Sequence, residues 1–91
     1  MSVQVRIPTI LRPYSGGAAE VDVQGDTLRE VLASLEARCP GISARVLDDA
    51  GQLRRFVNVY VDDDDVRFLE GLGTPVRIGA KVSIIPAVAG G

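Results

Sequence analysis

The first quarter of the chain contains two short segments in which apolar and polar residues alternate. Apolar side chains fall at positions 3, 5 and 7 in the first segment and at positions 19, 21 and 23 in the second. A period of two is typical of a strand with one buried face. Pro8 and Pro13 interrupt the pattern, and Tyr14–Gly17 (YSGG) supplies a flexible turn. The two segments are therefore predicted to form an antiparallel hairpin with a long loop.

Residues 25–41, GDTLREVLASLEARCPG, carry the signals of an amphipathic helix. Thr27 followed by Glu30 matches a capping box, in which the two residues satisfy each other's backbone donors, and Asp26 is a competing cap. Pro40 and Gly41 are predicted to end the helix. One face of this helix is apolar, with residues at helical spacing: Leu28, Val31, Leu32 and Leu35.

The second half of the chain predicts strands again. Phe56–Val61 (FVNVYV) alternates, with valines at positions 57, 59 and 61 on one face. The acidic run Asp62–Asp65 reads as a solvated turn, since a calcium loop requires spaced acids, a central glycine and a closing glutamate. Val66–Phe68 is predicted as a short return strand and Lys81–Ile85 as the last strand.

The order hairpin, helix, strand, short strand, last strand predicts an α+β protein of the ubiquitin-like β-grasp fold. We expect a mixed sheet with one main helix packed on one face, because a right-handed crossover after the hairpin lays later strands beside the first. A single helix covers only one face of a sheet, so the other face meets solvent or a partner. Periodicity places Phe56, Tyr60 and Ile85 on that helix-free face, where exposed apolar residues together predict a docking site.

The residue types that are missing from the sequence exclude several common kinds of catalytic and metal site. The chain has no histidine and one cysteine, so Ser-His or Cys-His nucleophile pairs and His- or Cys-rich zinc sites are excluded. No glycine-rich phosphate loop is present, and Lys81 is the single lysine. Cys39 falls at the end of the predicted helix, in line with its apolar face, and is interpreted as a small buried hydrophobe. We therefore expect neither a metal site, nor a bound cofactor, nor an enzyme acting by itself.

The 91 residues predict a single domain over positions 1–91. A net charge of −2 gives no broad electrostatic reason to bind nucleic acid or an anionic membrane. The N-terminal stretch alternates and has no long apolar run, so neither a signal peptide nor a membrane span is expected. A lone cysteine fits a reducing cytoplasm.

The C-terminal stretch IIPAVAGG is unusual because an apolar strand runs into two glycines. Together with three other stretches, it resembles the sulfur-carrier proteins of the ThiS and MoaD group and the ubiquitin-like modifiers, and within them the CysO-type carriers of actinobacterial cysteine synthesis. One local departure is Ala80–Lys81 after Gly79, where such carriers often have Gly-Asp. The four stretches together span nearly the whole chain: Ile7–Gly17, Gly25–Leu28, Phe56–Phe68 and Ile85–Gly91.

The resemblance implies a role for the flexible tail, residues 87–91. In such carriers an activating enzyme joins the terminal carboxylate, here that of Gly91, to AMP, and a sulfur donor then converts it to a thiocarboxylate. Gly90 has no Cβ, and Ala89 and Val88 are small, so this tail suits a narrow channel. The chain would then be a protein-bound sulfur donor, with no cofactor of its own.

The implied partners are an E1-like adenylyltransferase of the MoeB type, a pyridoxal-phosphate-dependent cysteine synthase that uses O-phosphoserine, and a metalloprotease that releases cysteine. ATP and pyridoxal phosphate belong to those enzymes. Three alternatives share the same tail: delivery of sulfur to molybdopterin, delivery to thiamine thiazole, and a protein-modifier role. An interaction domain with an incidental glycine tail remains a fourth.

Overall fold

A computed structural model describes residues 2–86 of the chain, and its centre is one mixed five-stranded sheet. The strands are β1 (Val3–Arg6), β2 (Glu20–Val23), β3 (Val57–Val61), β4 (Asp64–Asp65) and β5 (Lys81–Pro86). Their order across the sheet is β2-β1-β5-β3-β4. The central pair, β1 and β5, is parallel, whereas every other neighbouring pair is antiparallel.

One face of the sheet is covered by helix α1 (Leu28–Arg38), which buries its predicted apolar residues. The strands contribute alternate residues to the same core, including Val5, Val59 and Val82, none of which is exposed. The hairpin, the crossover through α1 and the return of β5 beside β1 make this the ubiquitin-like β-grasp predicted from the sequence. None of the helices formed by residues 2–86 has the length and apolar character to cross a bilayer.

The start of α1 differs in one detail from the predicted capping box. The Thr27 hydroxyl accepts a hydrogen bond from the Glu30 amide at 3.4 Å, as expected of an N-cap. The Glu30 carboxylate, however, accepts from the amide of Asp26 at 2.9 Å, one residue before the cap. Gly25 allows this tight entry, because a Cβ there would lie 2.6 Å from the backbone nitrogen of Val31.

The end of α1 leads into a second, four-residue helix that the sequence patterns did not reveal, α2 (Ser43–Val46). The Glu36 carboxylate accepts hydrogen bonds from the Gly41 amide at 2.8 Å and from the Ser43 amide and hydroxyl at 2.9 and 2.7 Å. These bonds, the one from Gly41 first, lower the pKa of Glu36 below its ordinary value of 4.5. The side chain thereby fixes the turn between the two helices.

The predicted return strand over Val66–Phe68 is wrong. Pairing with β3 takes place in β4, within the acidic run itself, and Val66–Phe68 is a 3-10 helix. Asp62 adopts a φ of 56° in the two-residue connection, so the chain reverses immediately after β3. Val66 then turns inward and is fully buried, which ends the strand after two residues.

The loop between β1 and β2 also has more structure than expected, since Thr9–Ser15 forms a 3-10 helix. Tyr14 from this segment packs against Gly41 and accepts a hydrogen bond from Arg45 Nε at 2.8 Å. The long loop is therefore attached to α2 at the C-terminal end of α1.

Candidate functional site at the end of the last strand

The described part of the chain ends at Pro86, the last residue of β5. The predicted tail residues Val88, Ala89, Gly90 and Gly91 lie outside the described residues. What the structure describes next to the tail is the end of β5 and the residues around it.

The outer face of the sheet, opposite α1, holds the residues predicted for docking. Ile85 pairs with Asn58 across the β3–β5 ladder, and Tyr60 pairs with Ser83. Tyr60 is thus diagonal to Ile85 on the same face, within reach of a large side chain. Ile85 is 49% exposed and Tyr60 is half-buried.

Phe56 lies one residue before β3 rather than inside it, and it is 56% exposed. Its neighbourhood is the N-terminal end of β3, where Val57 pairs with Pro86. Phe56 and Ile85 therefore lie near the point from which the tail continues, whereas Tyr60 lies further along β3, opposite Ser83.

Arg67 holds the start of β3 in place through hydrogen bonds. The sequence patterns did not predict this role for Arg67. Its guanidinium donates to the side-chain oxygen of Asn58 and to the backbone carbonyls of Arg54 and Arg55, the last two at 2.7 and 3.3 Å. A planar guanidinium can serve several acceptors at once in this way. The segment that carries Phe56 is consequently held from the 3-10 helix that follows β4.

A shallow hollow borders the last residues of β5 on the β1 side. β1 pairs with β5 only as far as Ser83, so the following residues of β5 extend past the end of β1. Arg6, Arg12 and Pro8 line the hollow together with Ile85 and Pro86. The Arg12 Nε donates to the carbonyl of Ile7 at 3.1 Å, which fixes that side chain at the edge of the hollow.

Two other candidates for chemistry lie elsewhere. Cys39 is buried, as predicted, and burial raises the pKa of its thiol, which disfavours the reactive thiolate. The acidic run Asp62–Asp65 forms a tight turn and β4, with Asp65 accepting from the Arg67 amide at 2.9 Å. Within residues 2–86, no group of acidic or sulfur side chains is arranged to hold a metal ion.

Next to Pro86, after which the predicted tail begins, the structure therefore places an exposed apolar side chain on the outer face of the sheet, Ile85, and an arginine-lined hollow. The sequence model of the ThiS family matches residues 5–91, which is most of the chain and includes that tail. The chain belongs to the ThiS family.

Individual relatives place the chain within the ThiS family more narrowly. It is 55% identical over 93 residues to the sulfur carrier protein CysO of Mycobacterium tuberculosis, with all of both chains covered. The crystal structure of that CysO superimposes with a TM-score of 0.90 at 53% identity, covering 94% of this chain and 99% of the other. CysO in the Amycolatopsis orientalis BexX/CysO complex gives a TM-score of 0.93 at 48% identity, covering 98% and 99%.

Proposed function

We propose that this protein is a sulfur carrier in which the carboxylate of Gly91 becomes a thiocarboxylate. The observation that carries the proposal is the ThiS-family match through Gly91, supported by full-length similarity to a sulfur carrier protein. Five residues follow Pro86, and a fully extended chain of that length reaches about 17–18 Å. The terminal carboxylate can thus enter a partner's active site while the folded domain stays outside it.

The proposed chemistry takes place in two steps on the partner. The Gly91 carboxylate attacks the α-phosphorus of ATP, and pyrophosphate leaves, which gives an acyl adenylate. Sulfide then displaces AMP, so that one carboxylate oxygen is replaced by sulfur. A persulfide donor displaces AMP to give an acyl disulfide, from which a thiol releases the thiocarboxylate while forming a disulfide with the donor. Gly90 lets the backbone approach closely, since it has no Cβ, and Ala89 and Val88 are small enough to follow.

We further propose that the sulfur is used to make cysteine from O-phosphoserine. A pyridoxal-phosphate-dependent synthase eliminates phosphate from O-phosphoserine and provides an aminoacrylate, which the thiocarboxylate sulfur attacks. The resulting thioester rearranges to an amide, and a metalloprotease hydrolyses it, which releases cysteine and restores Gly91. The 55% identity to CysO supports this pathway over delivery to molybdopterin or thiazole.

The proposal makes the chain a substrate of its partners, which hold the ATP and the pyridoxal phosphate. The crystallised complex of the A. orientalis CysO with BexX supports a role in which such a carrier engages a partner protein. For this chain the expected partners are the activating enzyme, the synthase and the protease.

A reconstitution tests the proposal. The protein is incubated with a MoeB-type adenylyltransferase, ATP and a sulfur source, and the C-terminal peptide is then analysed by mass spectrometry. We expect sulfur in place of one oxygen on Gly91. A variant with one alanine appended after Gly91 keeps a terminal carboxylate but moves it by about 3.3–3.6 Å, and it should gain no sulfur. Efficient sulfur transfer to the appended variant would contradict the proposed role of Gly91.

A further inference from the structure

Half of the chain's ten basic residues gather around the last residues of β5. Arg6 lies opposite Ser83 in the β1–β5 ladder and is exposed. Arg12 lines the hollow beside Ile85 and Pro86. These two arginines therefore flank the root of the tail on the β1 side. The whole group, which we call the arginine rim, consists of Arg6, Arg12, Arg54, Arg55 and Arg67.

The other members of the arginine rim flank the tail root on the β3 side. Arg54 and Arg55 precede β3, whose first residue Val57 pairs with Pro86, and both are exposed. Arg67 reaches the carbonyls of these two residues with its guanidinium. The rim therefore extends across three strands of the sheet, on both sides of the strand that leads into the tail.

The opposite end of the sheet has the opposite character. Asp62–Asp64 lie toward the end where β5 begins, with Asp62 bonded to the backbone of Lys81, whereas Asp65 lies in the same cross-strand row as Arg6. Arg77 lies at that same end, in a surface hollow with Asp62 and Asp64. The acidic run and the arginine rim are therefore offset along the sheet, with the rim nearer the end from which the tail continues.

The nearest acidic neighbour of the rim in the sheet does not neutralise it. Glu20 is the register partner of Arg6 on β2, one strand further from β5. Asp65, which lies in the same cross-strand row as Arg6 and accepts from the Arg67 amide at 2.9 Å, is a second carboxylate in the sheet. Asp48 and Asp49 come a few residues before Arg54, so the five guanidinium groups leave a modest excess of positive charge. Because folding does not require five arginines at one end of a sheet, their gathering there calls for a functional explanation.

We propose that the arginine rim docks onto an acidic protein surface around the channel that receives the tail, on the activating enzyme. This inference rests on the proposed sulfur-carrier function and adds the chemistry of the partner's surface. A phosphate of ATP is a poor occupant of the rim, since an extended tail places the reacting carboxylate about 17–18 Å beyond Pro86. The groups that meet the rim are thus those at the mouth of the channel, where opposite charge accelerates encounter and fixes orientation.

The test compares two double charge reversals that change the net charge equally. Arg6→Glu/Arg55→Glu reverses the rim, whereas Arg29→Glu/Arg77→Glu reverses two exposed arginines, one in the first turn of α1 and one before β5. The activating enzyme's kcat/KM is measured by ATP–pyrophosphate exchange at low and high ionic strength, after far-UV circular dichroism has verified the fold of each variant. The tail is intact in both variants, so kcat should stay unchanged.

We expect the rim variant to lower kcat/KM about tenfold or more at low salt, within the range that electrostatic steering supplies, and the loss to shrink at high salt. The control should stay within about twofold of the native protein. Equal losses in both variants, or no loss in the rim variant, would overturn the rim proposal while leaving the sulfur-carrier function standing. Absence of any exchange with the native protein would instead refute the proposed function, and the rim proposal with it.

Discussion

The two faces of the sheet differ sharply although they are built from the same strands. On β5, Ile84 points toward α1 and is 2% exposed, whereas its neighbour Ile85 points away and is 49% exposed. On β3, Val59 is fully buried and Tyr60 is half-buried. The inner face is thus uniformly aliphatic, while the outer face mixes aromatic, aliphatic and charged side chains.

This difference separates what the fold requires from what it merely permits. The inner face must be apolar because α1 and the sheet exclude water from between them. The outer face carries no such requirement, and we propose that its apolar residues and arginines near the tail are there for contact with a partner. Consequently, variants of the inner face should change stability and variants of the outer face should change binding.

The largest expected effect comes from truncating neighbouring isoleucines on the two faces. Ile84→Ala removes buried atoms from the core and should lower the free energy of unfolding by about 2–5 kcal/mol. Ile85→Ala, the matched control on the same strand, should cost about 1 kcal/mol or less because its side chain is half in water. Urea denaturation measures both values. Equal losses for the two variants would contradict the division between the faces.

The next effect concerns docking on the outer face. Ile85→Asp should weaken binding of the activating enzyme by about tenfold or more, equivalent to about 1.4 kcal/mol, since it puts a charge into an apolar contact. Ile78→Asp is the control, because Ile78 is 70% exposed and lies before β5, away from the tail. Titration calorimetry with the enzyme distinguishes them. Unchanged affinity for Ile85→Asp would remove this residue from the docking site.

A smaller effect is expected at the start of α1. Thr27→Ala removes the side-chain acceptor of the Glu30 amide and should lower the free energy of unfolding by about 1 kcal/mol. Thr9→Ala offers the same substitution at an exposed site in the β1–β2 loop and should change stability by less than about 0.5 kcal/mol. Thermal unfolding measures the loss of stability in each variant. If Thr27→Ala loses no more stability than Thr9→Ala, the N-cap hydrogen bond does not stabilise the helix.

The smallest effect is a change in the pH dependence of stability at Glu36. Its pKa is lowered in the folded protein, so its contribution to stability is present above the ordinary pKa of 4.5 and is lost as the pH falls through the folded value. Glu36→Gln should therefore destabilise the protein at pH 7, and the difference from the native protein should narrow as the carboxylate becomes protonated. Urea midpoints across this range measure the difference. A difference that stayed constant with pH would rule out the carboxylate as its source.

The inner face could be predicted from the sequence because its signals are local and periodic. The alternation in β1, β2, β3 and β5 and the apolar stripe of α1 each repeat within a few residues, and the structure confirms them. The prediction failed where the local structure depends on contacts that the alternation of apolar and polar residues does not record. Glu36 builds the turn into α2 from five to seven positions away, and burial of Val66 ends β4 early.

The surroundings of the tail were predictable only in part, for the same reason. Tyr60 and Ile85 could be assigned to one face by periodicity, whereas Phe56, predicted inside the strand, lies in the turn just before it. The rim could not be found in this way, because its arginines come from separate segments of the sequence and meet only when β1, β3 and β5 pair. Arg67 bonds to residues nine to thirteen positions earlier.

The central claim is that sulfur is carried on Gly91, and the native protein from cells grown with abundant sulfate tests it most directly. Intact mass followed by sequencing of the C-terminal peptide locates any sulfur that has replaced oxygen. The account predicts a fraction of molecules with one sulfur in place of an oxygen, confined to Gly91. Sulfur found on Cys39 with Gly91 unmodified would make the protein a persulfide carrier and would contradict the account.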